Sequence, residues 1–438
     1  MPNDKAQMKI SIQTQGCKVN QSESASIEGI LRNNNYQIVD KAANADVVVV
    51  NTCTVTAKSD HESRQLIRKA LKSGARVIAT GCYAQLKPEE LTEIKGLDLI
   101  VGNSGKQKII EHLKNIDAPE KEKYEHASVS VDNPVNHLEL QPYYSKRSRA
   151  FLKVQDGCNF ACSYCAVPKA RGKSRSLAIK DVLTAVDELS SQGYREIVLT
   201  GIHIGTYGLD LEPKASLLEL MDKITKGRPD IRIRLSSIEP QEVSDNLLTL
   251  MKERNICSHL HIPLQSGSDK ILKLMNRRYT LGHYKQLINK IITEMPDIAI
   301  GTDIITGFPG ESDKDFYETV KFIEQLPLSY MHVFPYSKRP DTKALSLSGF
   351  ISEKVKKDRV KKLMEMSAYK KENYMAKNLD KVLDVIVEKR NPVTGYFNAI
   401  SSNYLRILVK DEGLKSRQSL KIRTRSIVDA CLLAEPFN

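Results

Sequence analysis

The chain has 438 residues and a formal net charge of +13, because 66 Lys and Arg outnumber 53 Asp and Glu. This positive balance favours a polyanionic partner over an acidic small molecule. No apolar run approaches the ~18 residues that a membrane-spanning helix needs, so we expect no membrane partner. Only eight cysteines occur, and the polar first residues lack the apolar core of a signal peptide. We therefore expect a cytoplasmic protein and not a disulfide-stabilised secreted one.

The first 115 residues, which we predict to form one domain, repeat a pattern of apolar run, cysteine and helical stretch. The runs and the cysteines that follow them are 9–13 with Cys17, 46–50 with Cys53, and 76–79 with Cys82. This alternation predicts a doubly wound parallel α/β sheet, in which the loops after the strands meet at one edge. We therefore predict that these cysteines, the first cysteine group, converge on a metal site. Each of them alone would more often be a small buried residue.

Residues 116–149 are rich in charged residues, Asn, Pro and Ser, and we predict a linker there. A strand–helix rhythm then resumes over residues 150–340. Its six predicted strands lie at 151–154, 196–200, 232–236, 259–263, 299–305 and 330–336. Six units are too few to close an eight-stranded barrel, so we predict a partial barrel with its reactive groups at the carboxyl ends of the strands. Small or polar residues that could form a cofactor pocket lie at these strand ends: Gly201, Ser236, Gln265 and Asp303.

Three further cysteines, Cys158, Cys162 and Cys165, lie in one loop after the first barrel strand and form the second cysteine group. A four-iron cluster is normally closed by four thiolates, so three thiolates leave one iron open for a small molecule. A zinc site would need a fourth Cys or His nearby, and the next such residue is His203. The spacing therefore favours an iron–sulfur cluster with an open iron over structural zinc or free thiols.

Basic residues follow the second cysteine group at Lys169, Arg171 and Arg175. Their position beside a reactive loop predicts contacts with phosphate groups, and a solvated basic surface is the alternative. The open iron is then expected to lie under a positively charged rim.

The last hundred residues contain a basic helix and a small β module. Residues 341–378 form the predicted helical connector, and residues 379–438 contain five short predicted strands, a number suited to a small antiparallel β-barrel. Lys421, Arg423 and Arg425 alternate along one of these strands, which places them on one face. We predict that this face binds RNA, and a purely structural barrel is the alternative.

These motifs resemble one family, the radical SAM methylthiotransferases, and the resemblance covers all three predicted domains in order. It is carried by Gly-Cys-Lys-Val-Asn at 16–20, Asn-Thr-Cys-Thr-Val-Thr at 51–56, Thr-Gly-Cys at 80–82, and the second cysteine group. The resemblance implies two 4Fe-4S clusters: an auxiliary cluster on the first cysteine group, and a cluster that binds S-adenosylmethionine (SAM) on the second. It also implies that Tyr164 lies near the SAM adenine, and that the last domain is a TRAM-like module that binds RNA.

Within the family, the loops at 16–21 and 51–64 resemble the branch that methylthiolates N6-threonylcarbamoyladenosine beside the tRNA anticodon. The resemblance implies a tRNA anticodon stem-loop as the substrate and a flavodoxin or ferredoxin as the electron donor. Alternatives within the family are isopentenyladenosine in tRNA and an aspartate of a ribosomal protein. An alternative from another class is a non-catalytic iron–sulfur sensor that binds RNA, which would not consume SAM.

Overall fold

The computed structural model describes residues 7–116, 124–125, 145–410 and 412–437. Within them the chain forms a parallel α/β sheet, a partial barrel of strands and helices, and a small closed β-barrel. This architecture confirms the predicted fold class. Most of the predicted linker at 116–149 lies outside the described residues. Among the residues that are described, no helix is both long and apolar enough to cross a membrane.

The N-terminal sheet has six parallel strands in the order β2-β1-β3-β4-β5-β6. Its strands are β1 (Lys9–Thr14), β2 (Gln37–Ile38), β3 (Val47–Thr52), β4 (Arg76–Gly81), β5 (Leu99–Val101) and β6 (Tyr124–Glu125), and its helices are α1 (Lys18–Asn33), α2 (Ala57–Leu71), α3 (Cys82–Leu86), α4 (Pro88–Thr92) and α5 (Ile109–Lys114). In β3, Val47 and Val49 pack into one core, whereas Val48 and Val50 pack into another. Apolar packing on both faces is what a doubly wound sheet requires.

The central unit is built from six parallel strands and the helices between them. The six parallel strands are β7 (Ala150–Lys153), β10 (Glu196–Thr200), β11 (Arg232–Leu235), β12 (His259–His261), β13 (Ala299–Thr306) and β14 (Tyr330–Pro335), and two short antiparallel strands are β8 (Gln155–Asp156) and β9 (Arg175–Ser176). Its helices are α6 (Val167–Arg171), α7 (Ile179–Ser191), α8 (Leu217–Gly227), α9 (Asp245–Glu253), α10 (Asp269–Leu274), α11 (Leu281–Glu294) and α12 (Asp313–Gln325). The sheets β11-β10-β7 and β12-β13-β14 are joined by a parallel bridge between Ser237 and His261, and β8 and β9 form a separate ribbon. The six parallel strands form the predicted partial barrel.

The C-terminal unit begins with α13 (Glu353–Ala376) and continues as a closed five-stranded barrel. Its strands are β15 (Val382–Arg390), β16 (Phe397–Ser401), β17 (Arg406–Val409), β18 (Ser419–Val428) and β19 (Cys431–Pro436), in the order β15-β16-β17-β19-β18. The pair β17 and β19 is parallel, whereas we predicted an antiparallel barrel. An odd number of strands cannot alternate in direction around a closed ring, so at least one pair must be parallel.

Buried charges attach the C-terminal barrel to the central unit. Arg232 and Arg234 on β11 both pair with Glu196 on β10, at 2.5 Å and 2.7 Å. Arg234 also donates to the carbonyl oxygen of Ser401 in the C-terminal barrel at 2.9 Å. Burial opposes the charge on Glu196, but the neighbouring arginines outweigh this cost and hold its pKa well below the ordinary value. Glu196 therefore neutralises arginines that bridge the two units.

Candidate functional site

The first cysteine group lies at the carboxyl edge of the N-terminal sheet. Cys17 directly precedes α1, Cys53 follows β3, and Cys82 begins α3 after β4. Burial raises the pKa of the Cys53 thiol to about 12, and the neighbouring charges of Cys17 and Cys82 add to the rise. The three thiols are therefore near enough to influence one another electrostatically.

Two glycines with a left-handed backbone allow these loops to approach one another. Gly16 has a φ of +98°, and a Cβ atom on it would lie 2.6 Å from the Cβ of Cys53. Gly81 has a φ of +101°, and a Cβ atom on it would lie 2.4 Å from the carbonyl oxygen of Thr52. Any other residue would strain the backbone and push the strand ends apart. The convergence of the first cysteine group therefore depends on both glycines.

The second cysteine group lies in the loop between β8 and α6. The backbone N–H of Phe160 donates to Cys158 Sγ at 3.3 Å, and Arg277 donates to Cys162 Sγ at 3.3 Å. Donors of this kind stabilise negative charge on sulfur. Burial raises the pKa of Cys165 to about 12, so this thiol keeps its proton until a metal displaces it. All eight cysteines of the chain are free of disulfides, which leaves both groups available for metal.

His203, the nearest fourth donor in the sequence, lies against the second cysteine group. Its Nδ1 is 3.7 Å from Cys158 Sγ, and its Nε2 is 2.5 Å from Glu242 Oε1. Burial opposes a positive charge on His203, but hydrogen bonds to Cys158 and Glu242 outweigh this effect and raise its pKa to about 9. Glu242 therefore holds the His203 ring beside Cys158, and the three cysteines of this group fit a cluster with an open iron.

A cavity is lined by the loop that follows Cys53 and by Cys165 of the second cysteine group. Residues 54–56, which directly follow Cys53, form part of its lining. Residues 164–166, which include the last thiol of the second group, form another part. A molecule in this cavity would therefore lie beside both cysteine groups.

Three of the five predicted SAM contacts line this cavity, namely Tyr164, Gln265 and Asp303. The other two, Gly201 and Ser236, lie directly after the neighbouring strands β10 and β11. Ser236 is buried, and its hydroxyl has no hydrogen-bond partner among the described residues. A buried hydroxyl without a partner suits a ligand that supplies the missing hydrogen bond.

Arg171, which we predicted to contact phosphate at a surface rim, is buried between the N-terminal sheet and the barrel. Its side chain is only 1% exposed, and its guanidinium donates to Asn20 Oδ1 at 2.7 Å and Glu23 Oε1 at 2.8 Å. It also donates to Cys82 Sγ at 3.2 Å. The residue ends the short helix α6, which turns the side chain towards the docked N-terminal domain. The predicted role is therefore corrected, because Arg171 links the loop of the second cysteine group to a thiol of the first.

The buried network around Arg171 contains more cations than carboxylates. Its cations are the buried Arg171, Lys106 and Lys153 and the half-buried Arg175, and its carboxylates are Glu23 and Asp156. Positive charge is therefore in excess beside Cys82, whose Sγ accepts a hydrogen bond from Arg171. Ionised cysteine is the form that binds iron, so the charge balance fits a metal at the first cysteine group.

A second polar cluster, which we did not predict from the sequence, lies where the three domains meet. This junction cluster consists of Lys18, Arg234, His259, His261, Asp303, Tyr330, His332 and Tyr404. The ring of Tyr404 from the C-terminal barrel stacks on His259 with centroids 4.3 Å apart. Burial and the charge of Arg234 lower the pKa of Lys18 to about 8. The alternation of aromatic and imidazole residues in β12 and β14 is the sequence signal that could have revealed this cluster.

Lys169 and Arg175 keep partly accessible positions near the second cysteine group. Lys169 is exposed and lies 3.4 Å from a carboxylate oxygen of Asp341. Arg175 is half-buried and donates to the carbonyl oxygen of Arg171 at 3.0 Å. Both therefore remain candidates for phosphate contact.

Lys421, Arg423 and Arg425 lie on one face of β18, because the residues between them are buried. Arg425 already pairs with Glu435, and the Arg423 guanidinium lies 4.8 Å from the ring centroid of Phe437. Lys421 is exposed and has no ionic partner among the residues that the structure describes. Of the three, Lys421 therefore has the charge most available to a phosphate.

Two family models match the chain. The Radical SAM superfamily matches residues 152–323, and the Uncharacterized protein family UPF0004 matches residues 9–102. The first range contains the second cysteine group, and the second range contains the first.

Curated relatives cover most of the chain. A threonylcarbamoyladenosine tRNA methylthiotransferase MtaB of Aquifex aeolicus is 39% identical and covers 93% of this chain and 98% of its own. The protein of the same name from Bacillus subtilis is 36% identical and covers 92% and 90%. A tRNA-2-methylthio-N(6)-dimethylallyladenosine synthase of Clostridium tetani is 35% identical and covers 86% and 84%. Because these identities are similar, identity alone does not separate the two substrates.

Solved structures share the fold at low identity. The radical SAM methyltransferase TsrM from Kitasatospora setae, solved with cobalamin and a [4Fe-4S] cluster, has a TM-score of 0.56, 14% identity and 77% coverage of both chains. The cobalamin-dependent SAM radical enzyme OxsB has a TM-score of 0.51 and 14% identity, and the match covers 83% of this chain and 56% of that one. Similarity at this level shows the fold alone.

Proposed function

This chain belongs to the radical SAM tRNA methylthiotransferases, and we propose that it converts N6-threonylcarbamoyladenosine beside the tRNA anticodon to its 2-methylthio derivative. The observation that carries the proposal is the shared cavity, which is lined by residues adjoining Cys53 and by Cys165 itself. A base in this cavity would be within reach of both cysteine groups. The relatives at 39% and 36% identity act, by their names, on threonylcarbamoyladenosine.

We propose that each cysteine group holds one four-iron cluster. The SAM cluster would be held by Cys158, Cys162 and Cys165, and the auxiliary cluster by Cys17, Cys53 and Cys82. When bound, the clusters would supply the electron that cleaves one SAM to a radical able to take the hydrogen at carbon 2 of adenine, together with the sulfur that replaces it, and another SAM would supply the methyl group on that sulfur. Radical chemistry is needed because no side-chain acid or base is strong enough to act on this ring C–H.

The protein itself would position the reacting groups. We propose five SAM contacts, which are Tyr164, Gly201, Ser236, Gln265 and Asp303. Arg277 would hold the loop of the second cysteine group in place, since its buried side chain bonds to Cys162 and pairs with Glu239. Catalysis by this chain is therefore a matter of placing SAM and the base precisely relative to the two clusters.

The tRNA would bind through its phosphates and present a splayed base to the cavity. We propose phosphate contacts at Lys169, Arg175, Lys421, Arg423 and Arg425. Bases of an anticodon loop are already unpaired, so moving one out of the loop costs less than extracting it from a duplex. A flavodoxin or ferredoxin would supply electrons, and action on tRNA would place the protein in the cytoplasm.

Isopentenyladenosine in tRNA is the second candidate substrate, because the synthase of Clostridium tetani is almost as similar as the relatives that act on threonylcarbamoyladenosine. The non-catalytic sensor differs from both, since it would bind RNA without consuming SAM. These alternatives make different predictions for the products of one reaction.

The test is an anaerobic reaction of the reconstituted protein with SAM, dithionite and a tRNA that carries one of the two modified adenosines. Mass spectrometry of the nucleosides should show a 2-methylthio product from N6-threonylcarbamoyladenosine, with 5′-deoxyadenosine formed alongside. If only the tRNA with isopentenyladenosine, also called N6-dimethylallyladenosine, gives a methylthio product, that nucleoside is the substrate and the proposed one is wrong. An absence of SAM cleavage with both RNAs would favour the sensor.

A further inference from the structure

The junction cluster places two cations on one aromatic ring. Arg234 lies 5.1 Å and Lys18 Nζ lies 6.0 Å from the centroid of the Tyr404 ring. Arg234 shares its buried carboxylate partner, Glu196, with Arg232. Arg149 lies 3.6 Å from Glu196 as well, so one carboxylate faces three guanidinium groups before Lys18 adds a further positive charge. The centre of the three-domain junction is positively charged.

Lys18 has no carboxylate partner within the part of the chain that the structure describes. Asp303, whose charge acts on Lys18, lies instead 3.0 Å from His261 Nε2. Lys18 is also half-buried, so water screens its charge only in part. A partly buried ammonium without a counter-ion is unfavourable, and a ligand that brings a negative charge would remove the cost.

The junction cluster adjoins the cavity beside the two cysteine groups. Asp303 lines this cavity, and the stacked rings of His261 and His332 lie beside it with centroids 5.4 Å apart. Lys18 directly follows Cys17, a member of the first cysteine group. A ligand group held by Lys18 would therefore lie next to the site where sulfur insertion is proposed.

A metal ion is the other ligand that these residues suggest. Ligand atoms of His261, Asp303 and His332 lie within 4.8 Å of one another. However, a metal cation there would be repelled by Lys18 and Arg234. His261 also uses both of its nitrogens already, Nε2 towards Asp303 and Nδ1 towards the Tyr330 hydroxyl at 3.3 Å. The surroundings therefore favour an anion at Lys18 over a metal ion.

We propose that Lys18 binds the carboxylate of the threonylcarbamoyl group of the target nucleoside. The inference rests on the proposed function and names the residue that would select this nucleoside. The threonylcarbamoyl group carries a carboxylate, whereas a dimethylallyl group contains only carbon and hydrogen. Lys18 gains an ion pair with the first and stays unpaired with the second, so it discriminates between them.

The test compares the wild type with Lys18→Gln and Lys18→Arg on two anticodon stem-loop RNAs. One RNA carries N6-threonylcarbamoyladenosine, and the other carries its methyl ester, which lacks the negative charge and adds one methyl group. Lys18→Gln should raise KM for the first RNA about 10- to 100-fold, the factor that corresponds to losing a charge-assisted hydrogen bond. It should not change KM for the ester, and Lys18→Arg should recover much of the loss. Lys223→Gln, on the exposed face of α8, is the matched control and should alter neither value.

Iron content measured for each variant shows whether the first cysteine group still binds metal. With iron intact, an unchanged KM for Lys18→Gln, or an equal rise in KM on both RNAs, would overturn carboxylate recognition. Carboxylate recognition would also be overturned if the wild type bound one metal ion per chain in addition to the cluster iron and the His332→Ala variant did not. If the wild type modifies neither RNA, the proposed function fails and this inference fails with it, and that outcome is distinct from the others.

Discussion

Replacing Arg171 with Met removes the guanidinium that joins the two cysteine groups across the domain interface. The side chain is 1% exposed and contacts Glu23, Asp156 and Cys82. Without it, the network loses one positive charge, and Glu23, Asp156 and Cys82 each lose a buried hydrogen-bond donor. Removing one partner from a buried ion network costs about 3–5 kcal/mol. We expect the free energy of unfolding to fall by about this amount.

Urea unfolding under anaerobic conditions, followed by circular dichroism, measures this loss. Lys173→Met is the matched control, because Lys173 is exposed two residues away, and it should change the free energy of unfolding by less than about 0.5 kcal/mol. The Arg171→Met variant should also lose more of its methylthio-transfer activity than of its SAM-cleavage activity, because the three thiols of the second cysteine group remain. Unchanged stability together with a weaker salt dependence of tRNA binding would refute the reasoning, because Arg171 would then act at the surface on phosphate.

Iron analysis should find about eight irons per chain, and about four after all three residues of the second cysteine group are replaced by Ala. Zinc in place of iron, or complete loss of iron in that variant, would contradict separate clusters. Cys53→Ala should still form 5′-deoxyadenosine but no methylthio product, and a normal rate of product formation would exclude the auxiliary role. Replacing Lys421 and Arg423 by Ala should lower the slope of log affinity for tRNA against log salt by about 0.7–0.9 for each phosphate that the protein no longer neutralises. Arg425→Ala should lower the slope further but by less, because Glu435 already neutralises part of its charge, and an unchanged slope in the double variant would make the barrel purely structural. Glu196→Gln should lower the free energy of unfolding by about 3–5 kcal/mol. Because the folded pKa of Glu196 lies well below its ordinary value of 4.5, its stabilising effect is present above that pH and is lost as the pH falls below it. Equal urea stability of wild type and Glu196→Gln at neutral pH would contradict this.

The strands were predictable because parallel strands buried on both faces appear in the sequence as short apolar runs. The run at 196–200 was predicted as a strand, and β10 spans Glu196–Thr200. The strand predicted at 259–263 ends earlier, at His261, and Pro263 lacks the N–H group that would continue a ladder. The five strands of the C-terminal barrel were also predicted, but the parallel pair that closes it follows from the strand count and not from any local pattern.

The positions of single charged side chains were less predictable, because they depend on how the domains dock. A basic residue beside a reactive loop has the same local sequence whether it faces solvent or another domain. Arg171 faces the N-terminal domain, whereas Lys169, two residues earlier, is exposed. Lys18 was visible in the motif around Cys17, but its place beside Tyr404 depends on the docking of the C-terminal barrel.

Nucleoside mass spectrometry of tRNA from a strain that lacks this gene tests the central claim most directly. We predict that the 2-methylthio derivative of N6-threonylcarbamoyladenosine disappears and that its unmodified precursor accumulates. The wild-type gene should restore the derivative, and the Cys53→Ala variant should not. An unchanged level of this derivative, or loss of the 2-methylthio derivative of dimethylallyladenosine in its place, would contradict the proposed function.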